Sequence, residues 1–184
     1  LLGYPAAYIM AMADFKTPQV MAMLFILPMW INFLLRTIAT VELFRMFGLP
    51  LGEGALLFGM VYDFLPFMIY PIYNTLQKMD TSLIEAAHDL GAKRHQVFLK
   101  VTLPLSAPGI YSGIVMVFMP TVSTFAIAEL LTHNKVTLFG SLIQRCFGEG
   151  GIAMWNYGAA LSLIMLIIIG LTSFFGGDKE DINR

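Results

Sequence analysis

The 184 residues are 58% hydrophobic and 12% charged, against roughly 45–50% and about 25% in an average soluble domain. Eleven basic and twelve acidic residues leave a net charge of −1, which supplies no polycationic face for nucleic acid. One cysteine excludes an internal disulfide and a Cys-rich zinc site, three dispersed histidines argue against a His-based metal site, and no resident cofactor is expected.

A mean hydropathy of +0.75 is that of a polytopic membrane protein. The chain opens at Leu1, already inside an apolar run over residues 1–13. A helix of that length spans about 20 Å, against about 30 Å of hydrocarbon. The run therefore reads as the truncated end of a transmembrane helix. Ala11-Met12-Ala13 resembles a signal-peptide cleavage site, but no basic segment precedes it and several full spans follow.

A polar break at 14–18 leads to the first full span, 19–37, with Pro28 in its middle. Residues 39–54, carrying Glu42, Arg45 and Glu53, read as a loop with at most one interfacial turn. The second span, 55–76, is interrupted by Asp63, Pro66 and Pro71. The most polar stretch follows at 77–103. The third span is 105–131, with Pro108 near its start and Pro120 inside. A polar, Gly-rich loop at 132–155 precedes the fourth span, 157–175, and a charged tail closes the chain. Prolines are tolerated in such helices when neighbours re-satisfy the freed carbonyls. The spans leave no alternating pattern for a membrane barrel. The expectation is one all-α transmembrane helix bundle over residues 1–184, with four full spans and a partial one.

Lys and Arg beside the spans set orientation. One set of loops holds Lys16, Lys78, Lys93, Arg94, Lys100, Lys179 and Arg184; the other holds only Arg36, Arg45, Lys135 and Arg145. The first set is expected to face the cytoplasm, which places the loop at about 77–104 on that side.

Within that loop, Ser82 followed by Glu85 reads as a capping box that starts a helix. Leu83, Ala86, Ala87 and Leu90 share one face of it, and Gly91 is placed to end it. Two alanines on the face let another backbone approach closely. The helix either packs on the bundle or lipid surface, or docks in a groove of another protein. Gly109 and Gly113 form a small-xxx-small pair for close helix packing, within this chain or against a second subunit. Cys146 and His133 read as incidental. No Gly-x-x-x-x-Gly-Lys-Ser/Thr loop occurs, and Gly148-Glu-Gly-Gly151 lacks the lysine, so any ATP hydrolysis is expected in another polypeptide.

Glu85-Ala-Ala-His-Asp-Leu-Gly-Ala92, Val101-Thr-Leu-Pro104-Leu and Pro108-Gly109-Ile110 together resemble the EAA loop of binding-protein-dependent ABC importer permeases. Tyr4-Pro5-Ala6-Ala7-Tyr8, Leu35-Arg36-Thr37, Gly59-Met-Val-Tyr-Asp-Phe-Leu-Pro-Phe67 and Trp155-Asn-Tyr-Gly-Ala-Ala160 resemble the polyamine-type members. The resemblance implies a type I importer permease in a bacterial inner membrane, importing polyamines such as spermidine and putrescine. It implies a coupling helix in which Glu85, Ala86, Ala87, Asp89 and Gly91, with Leu103 and Pro104, meet a cytoplasmic ATP-binding subunit. It further implies a second homologous permease and an extracellular or periplasmic substrate-binding protein. That family has six membrane helices, so this chain would lack the first and part of the second, and its 39–54 loop is shorter than the family's. Other importers share the EAA loop, which leaves another small solute open as the substrate.

Asp63 lies near the middle of a span, where an unpaired carboxylate costs roughly 2.5–3.5 kcal/mol on insertion scales. With Tyr62 and Phe67 beside it, and with Glu129 following Phe118 and Phe125, it could line an acidic, aromatic route for a polyamine. The alternatives are a structural hydrogen bond near Pro66 or a partner subunit's residue for Asp63, and snorkelling at the outer interface for Glu129. Two readings outside the importer class are a channel or scaffold without an ATPase, and a membrane enzyme using Asp63 and His88.

Overall fold

The computed structural model describes residues 1–12, 18–133, 135–148 and 151–181. Lys16 and Arg184, which enter the charge asymmetry, lie outside the described residues. The order is α1 Gly3–Met12, α2 Pro18–Trp30, α3 Phe33–Met46, α4 Glu53–Gln77, α5 Thr81–Asp89, α6 Arg94–Val97, a π-helical turn Phe98–Thr102, α7 Leu103–Leu105, α8 Ala107–Ser123, α9 Ala126–Thr132, α10 Phe139–Gly148 and α11 Gly151–Asp181. No strand occurs among the described residues. The architecture is the expected all-α membrane bundle.

Among the described residues, two helices are long and apolar enough to cross a membrane unaided: α4, and the part of α11 from Met154 to Ser173. Two further candidates are bent pairs, Met23–Trp30 with Phe33–Met46 at 99°, and Arg94–Leu105 with Ala107–Ser123 at 59°. The first bend corrects the sequence reading, which made 19–37 one span and 39–54 a loop. Ile31 closes α2 with a short bond from its N–H to the Pro28 carbonyl (3.2 Å). Asn32 then caps α3, its side chain accepting from the Leu34 N–H at 2.9 Å. The helix continues to Met46 because its buried face is Arg36, Thr37, Thr40 and Val41. Hydropathy ends the span among these polar residues, whereas here Thr37 and Thr40 donate to carbonyls of their own helix and Arg36 pairs with Asp63.

The expected third span, 105–131, is also corrected. α8 ends at Thr124, whose φ −71° and ψ 139° are extended, and α9 restarts at Ala126. The 132–155 loop contains α10, and α11 extends beyond both ends of the expected 157–175 span.

α4 is the hub. In lipid, helices associate through close van der Waals packing rather than through hydrophobic exclusion. Glycines accordingly mark the tight contacts. A Cβ on Gly109 would lie 2.8 Å from the Thr75 Cβ and 2.9 Å from the Pro71 carbonyl oxygen, and one on Gly113 would lie 3.2 Å from the Met68 carbonyl oxygen. The small-xxx-small pair thus packs α8 on α4 within this chain. Gly59 does the same for Ile127 and Leu131 of α9. α1 lays Ala7 and Met10 on Ile69, Ile72, Tyr73 and Leu76 of α4, forming one core; Val41, Ala55, Leu56, Ile127, Ala128 and Leu131 form the second.

Candidate functional site

The loop between α4 and α8 builds α5 from its own residues. Asp80, not Ser82, is the N-cap: its carboxylate accepts from the Ser82 backbone N–H at 2.9 Å. That bond, with the Ser82 hydroxyl adding to it, holds the Asp80 carboxyl below the usual carboxylate range. Asp80 displaces the expected Ser82–Glu85 capping box because an aspartate two residues earlier takes an orphan N–H of the first turn, that of Ser82 itself. At the other end Gly91 adopts φ +80°. Its N–H bonds the His88 carbonyl at 2.8 Å, and the Ala92 N–H bonds the Ala87 carbonyl at 3.1 Å. This is a Schellman stop, which favours glycine because its φ is positive.

α5 rests on α6 and the π-helical turn, and most of it is exposed. Leu83 is 47% and Leu90 88% exposed. Glu85, Ala86 and Asp89 are exposed as well, Ala87 is half-buried and Gly91 is exposed. The helix therefore carries an apolar, alanine-bearing face with carboxylates at its border. Leu103 is half-buried and Pro104 exposed in α7, on the return toward α8.

The intramembrane candidates separate. Asp63 is 1% exposed and faces α3. The Arg36 Nε lies 3.3 Å from its Oδ1, the Thr37 hydroxyl donates to its Oδ2 at 3.1 Å, and the Arg36 Nη2 donates to its backbone carbonyl at 3.3 Å. Arg36, 6% exposed, belongs to a buried pair and not to an outer loop. The pair is what makes a carboxylate tolerable at that depth, since each ion removes the other's uncompensated burial. Tyr62 turns its ring under the guanidinium, 5.7 Å from centroid to Cζ. Phe67 meets Phe64 edge-on at 6.4 Å.

Glu129 is exposed on the first turn of α9, and Phe125 sits exposed at the α8–α9 break. Phe118 is half-buried on α8. At the break lies a cavity of about 620 Å³, lined by Ser123, Phe125, Gly140, Gln144, Ser162 and Met165 among others. Phe125, Ser123 and Pro120 also border a smaller one of about 180 Å³ with Phe33 and Phe64. Of the sequence candidates, only Phe125 lines these cavities; Asp63 and Glu129 do not come together. His88, exposed on α5, is on a different element from Asp63. Sequence reasoning missed Arg36 as the partner of Asp63. The available signal was one Arg and one Asp, each in a membrane-depth helix and each needing a counter-charge.

An all-helical bundle with broken spans around a central helix, and a short capped helix exposed between two of them, is the architecture of a polytopic membrane protein. A chain of the methionine ABC transporter MetNI, solved in inward-facing conformations, has the same fold, with a TM-score of 0.71 at 20% identity over 96% of this chain and 83% of that one. The family of binding-protein-dependent transport system inner membrane components matches residues 3–177, and the chain belongs to it. The spermidine/putrescine transport system permease protein PotB of Escherichia coli K12 is 35% identical over 188 residues, covering 93% of this chain and 68% of that protein. Its counterpart in Haemophilus influenzae is 35% identical over 95% of this chain and 66% of its own length. A PotB homolog in Mycoplasma pneumoniae is 31% identical over 80% of this chain and 56% of its own. The chain thus spans about two thirds of the length of the first two.

Proposed function

We propose that the chain is the membrane-spanning permease subunit of an ATP-driven importer that moves polyamines such as spermidine and putrescine into the cytoplasm. The observation that carries this reading is α5. It is a helix stabilised at both ends by its own caps, yet among the described residues Ala86 and Leu90 stay exposed and Ala87 is only half-buried. In a family of binding-protein-dependent transport components, such a face suits a cleft in a cytoplasmic ATP-binding subunit. Glu85 and Asp89 offer carboxylates to basic groups there. Ala86, Ala87 and Gly91 permit close approach, and Leu103 and Pro104 carry the motion toward α8. ATP binding would close the ATPase pair and move α5, and the bundle would follow by alternating access. A second homologous permease would complete the pathway, and a substrate-binding protein would deliver to its outer mouth.

The substrate class rests on the named relatives and on chemistry. A flexible di- or trication needs counter-charge and aromatic faces that bind weakly enough to release it. Tyr62, Asp63, Phe67, Phe118, Phe125 and Glu129 are assigned to that pathway. Glu129 and Phe125 would meet the cation. Asp63, already neutralised by Arg36, would act by holding α3 in place. The other reading, a different small solute, follows because α5 serves any importer of this kind.

The test is uptake by the full-length transporter, reconstituted with its ATPase, second permease and binding protein. Spermidine uptake that requires ATP, and that falls several-fold in Glu129→Gln with ATPase assembly intact, is the expected result. ATP-driven uptake of an unrelated solute with none of spermidine would remove the polyamine assignment. Failure to assemble with any ATPase would leave a channel or scaffold in its place.

A further inference from the structure

The Tyr4-Pro-x-Ala-Tyr8 motif of α1 has no role in the reading above, and its two tyrosines point at the segment that leaves the coupling loop. Between Arg94 and Ser123 the chain passes through α6, the π-helical turn and α7, then bends by 59° into α8. Ser106 stands at the bend and is fully buried. Its hydroxyl donates to the Leu103 carbonyl at 3.0 Å. The Tyr4 hydroxyl lies 2.9 Å from the same Ser106 oxygen. A serine has one proton, which the Leu103 carbonyl takes, so Tyr4 is the donor. A chain of two bonds then runs from α1 through Ser106 to the last turn of the coupling segment.

The start of that segment is held from the same helix. Phe98, first residue of the π-helical turn, receives Tyr4 edge-on at 5.8 Å and Tyr8 edge-on at 5.5 Å. The two tyrosines are themselves stacked at 6.4 Å. π-helical turns are locally strained insertions that often mark functional positions. Pro104 and Pro108 lie on either side of the bend and neither carries an N–H, and the backbone between them is held by the Ser106 N–H on the Thr102 carbonyl at 2.9 Å and the Ile110 N–H on the Ser106 carbonyl at 3.1 Å. The Tyr4 and Tyr8 contacts add cross-links from α1, outside the segment.

We infer that Tyr4 is a positioning residue for energy coupling: its hydroxyl on Ser106, with its ring on Phe98, ties the exit of the coupling segment to α1 so that displacement of α5 moves α1 and α4 together. The inference rests on the permease reading for its consequence but not for the tie itself. α1 is seated on α4 through Ala7 and Met10, so without the tie the segment can pivot at Ser106 and dissipate the stroke. ATP is then hydrolysed with less substrate moved.

The experiment uses the full-length transporter and two conservative variants, Tyr4→Phe and Ser106→Ala, with the double variant. Substrate moved per ATP hydrolysed should fall about threefold to tenfold in each single variant, within the range by which residues remote from ligands alter coupling. The double variant should be no worse than Ser106→Ala alone, because that substitution already removes the Tyr4–Ser106 bond. Assembly and ATP hydrolysis should persist. An unchanged ratio, or additive losses, overturns the inference. Hydrogen exchange over residues 98–107 reads the tie whatever the transporter carries: it should quicken several-fold in Tyr4→Phe. Unchanged exchange overturns the inference, while quickened exchange in a complex that moves no polyamine leaves the tie standing and counts against the substrate assignment.

Discussion

Arg36 and Asp63 are each tolerable only in the other's company. Both are almost wholly buried, and removing one partner of such a pair leaves an uncompensated charge, at about 3–5 kcal/mol. Arg36→Met alone should therefore lower the unfolding temperature of the assembled transporter markedly. Arg36→Met with Asp63→Leu should recover most of the loss, and thermal unfolding in detergent measures both. If the double variant is as unstable as the single, the pair is not the reason for either residue. The glycines divide in the same way. A methyl at Gly109 meets backbone and Thr75 within 3 Å, so Gly109→Ala should cost roughly 1–3 kcal/mol through overpacking. At Gly170 a Cβ meets nothing within 4 Å, and Gly170→Ala should leave stability unchanged or slightly raised. The sequence marked Asp63 as costly and Gly109–Gly113 as a packing pair. It did not mark Arg36, because a hydropathy window ends the span at Thr37 and treats the arginine as a flank.

At the scale of the element, α5 was legible in detail: the face of Leu83, Ala86, Ala87 and Leu90 and the stop at Gly91 need only local information. The start was misplaced by two residues, since Asp80 and Ser82 are both good caps and only geometry chooses between them. Asp80 gives α5 a pH dependence of known sign. Its folded pKa is depressed, so its contribution is complete above the unfolded value of about 3.9. It is lost as pH falls through the lower folded value. The amides of the first turn should exchange faster in acid in the native chain, while Asp80→Asn, an equally good cap without a charge, should remove that dependence. At the far end Gly91→Ala places a side chain at φ +80°, which costs about 1–2 kcal/mol. It should fray the Schellman turn and depress transport without removing the protein from the membrane. The breaks at Ile31–Asn32 and Thr124–Phe125 were not legible. Apolar residues flank both, and a hydropathy window averages over the single Asn32 cap and the Ser123-Thr124 pair that mark them.

At the scale of the molecule, the question is which elements cross. α4, at 25 residues, is about 37 Å long and exceeds the hydrocarbon thickness. It must carry the chain from one side to the other. α8, with 17 residues, reaches only about 25 Å, and α9, with 7, adds about 10 Å. The two cross together if the break at Thr124 leaves them roughly in line, whereas a sharp reversal there would make 107–132 re-entrant. The charge asymmetry favours crossing, with Lys78, Lys93, Arg94 and Lys100 before α8 and Lys135 after α9. Three exposed positions decide it: Leu49 before α4, Gln96 in α6 and Lys135 beyond α9. Single cysteines at these positions are to be tested with a membrane-impermeant maleimide, with the buried Cys146 left in place as an unreactive background. The expected result is labelling of Gln96→Cys only from the cytoplasmic side, and of Leu49→Cys and Lys135→Cys only from outside. Leu49 and Gln96 on one side would refute α4 as a span. Gln96 and Lys135 on one side would make α8–α9 a re-entrant hairpin, with the cavity at the break lying at its tip.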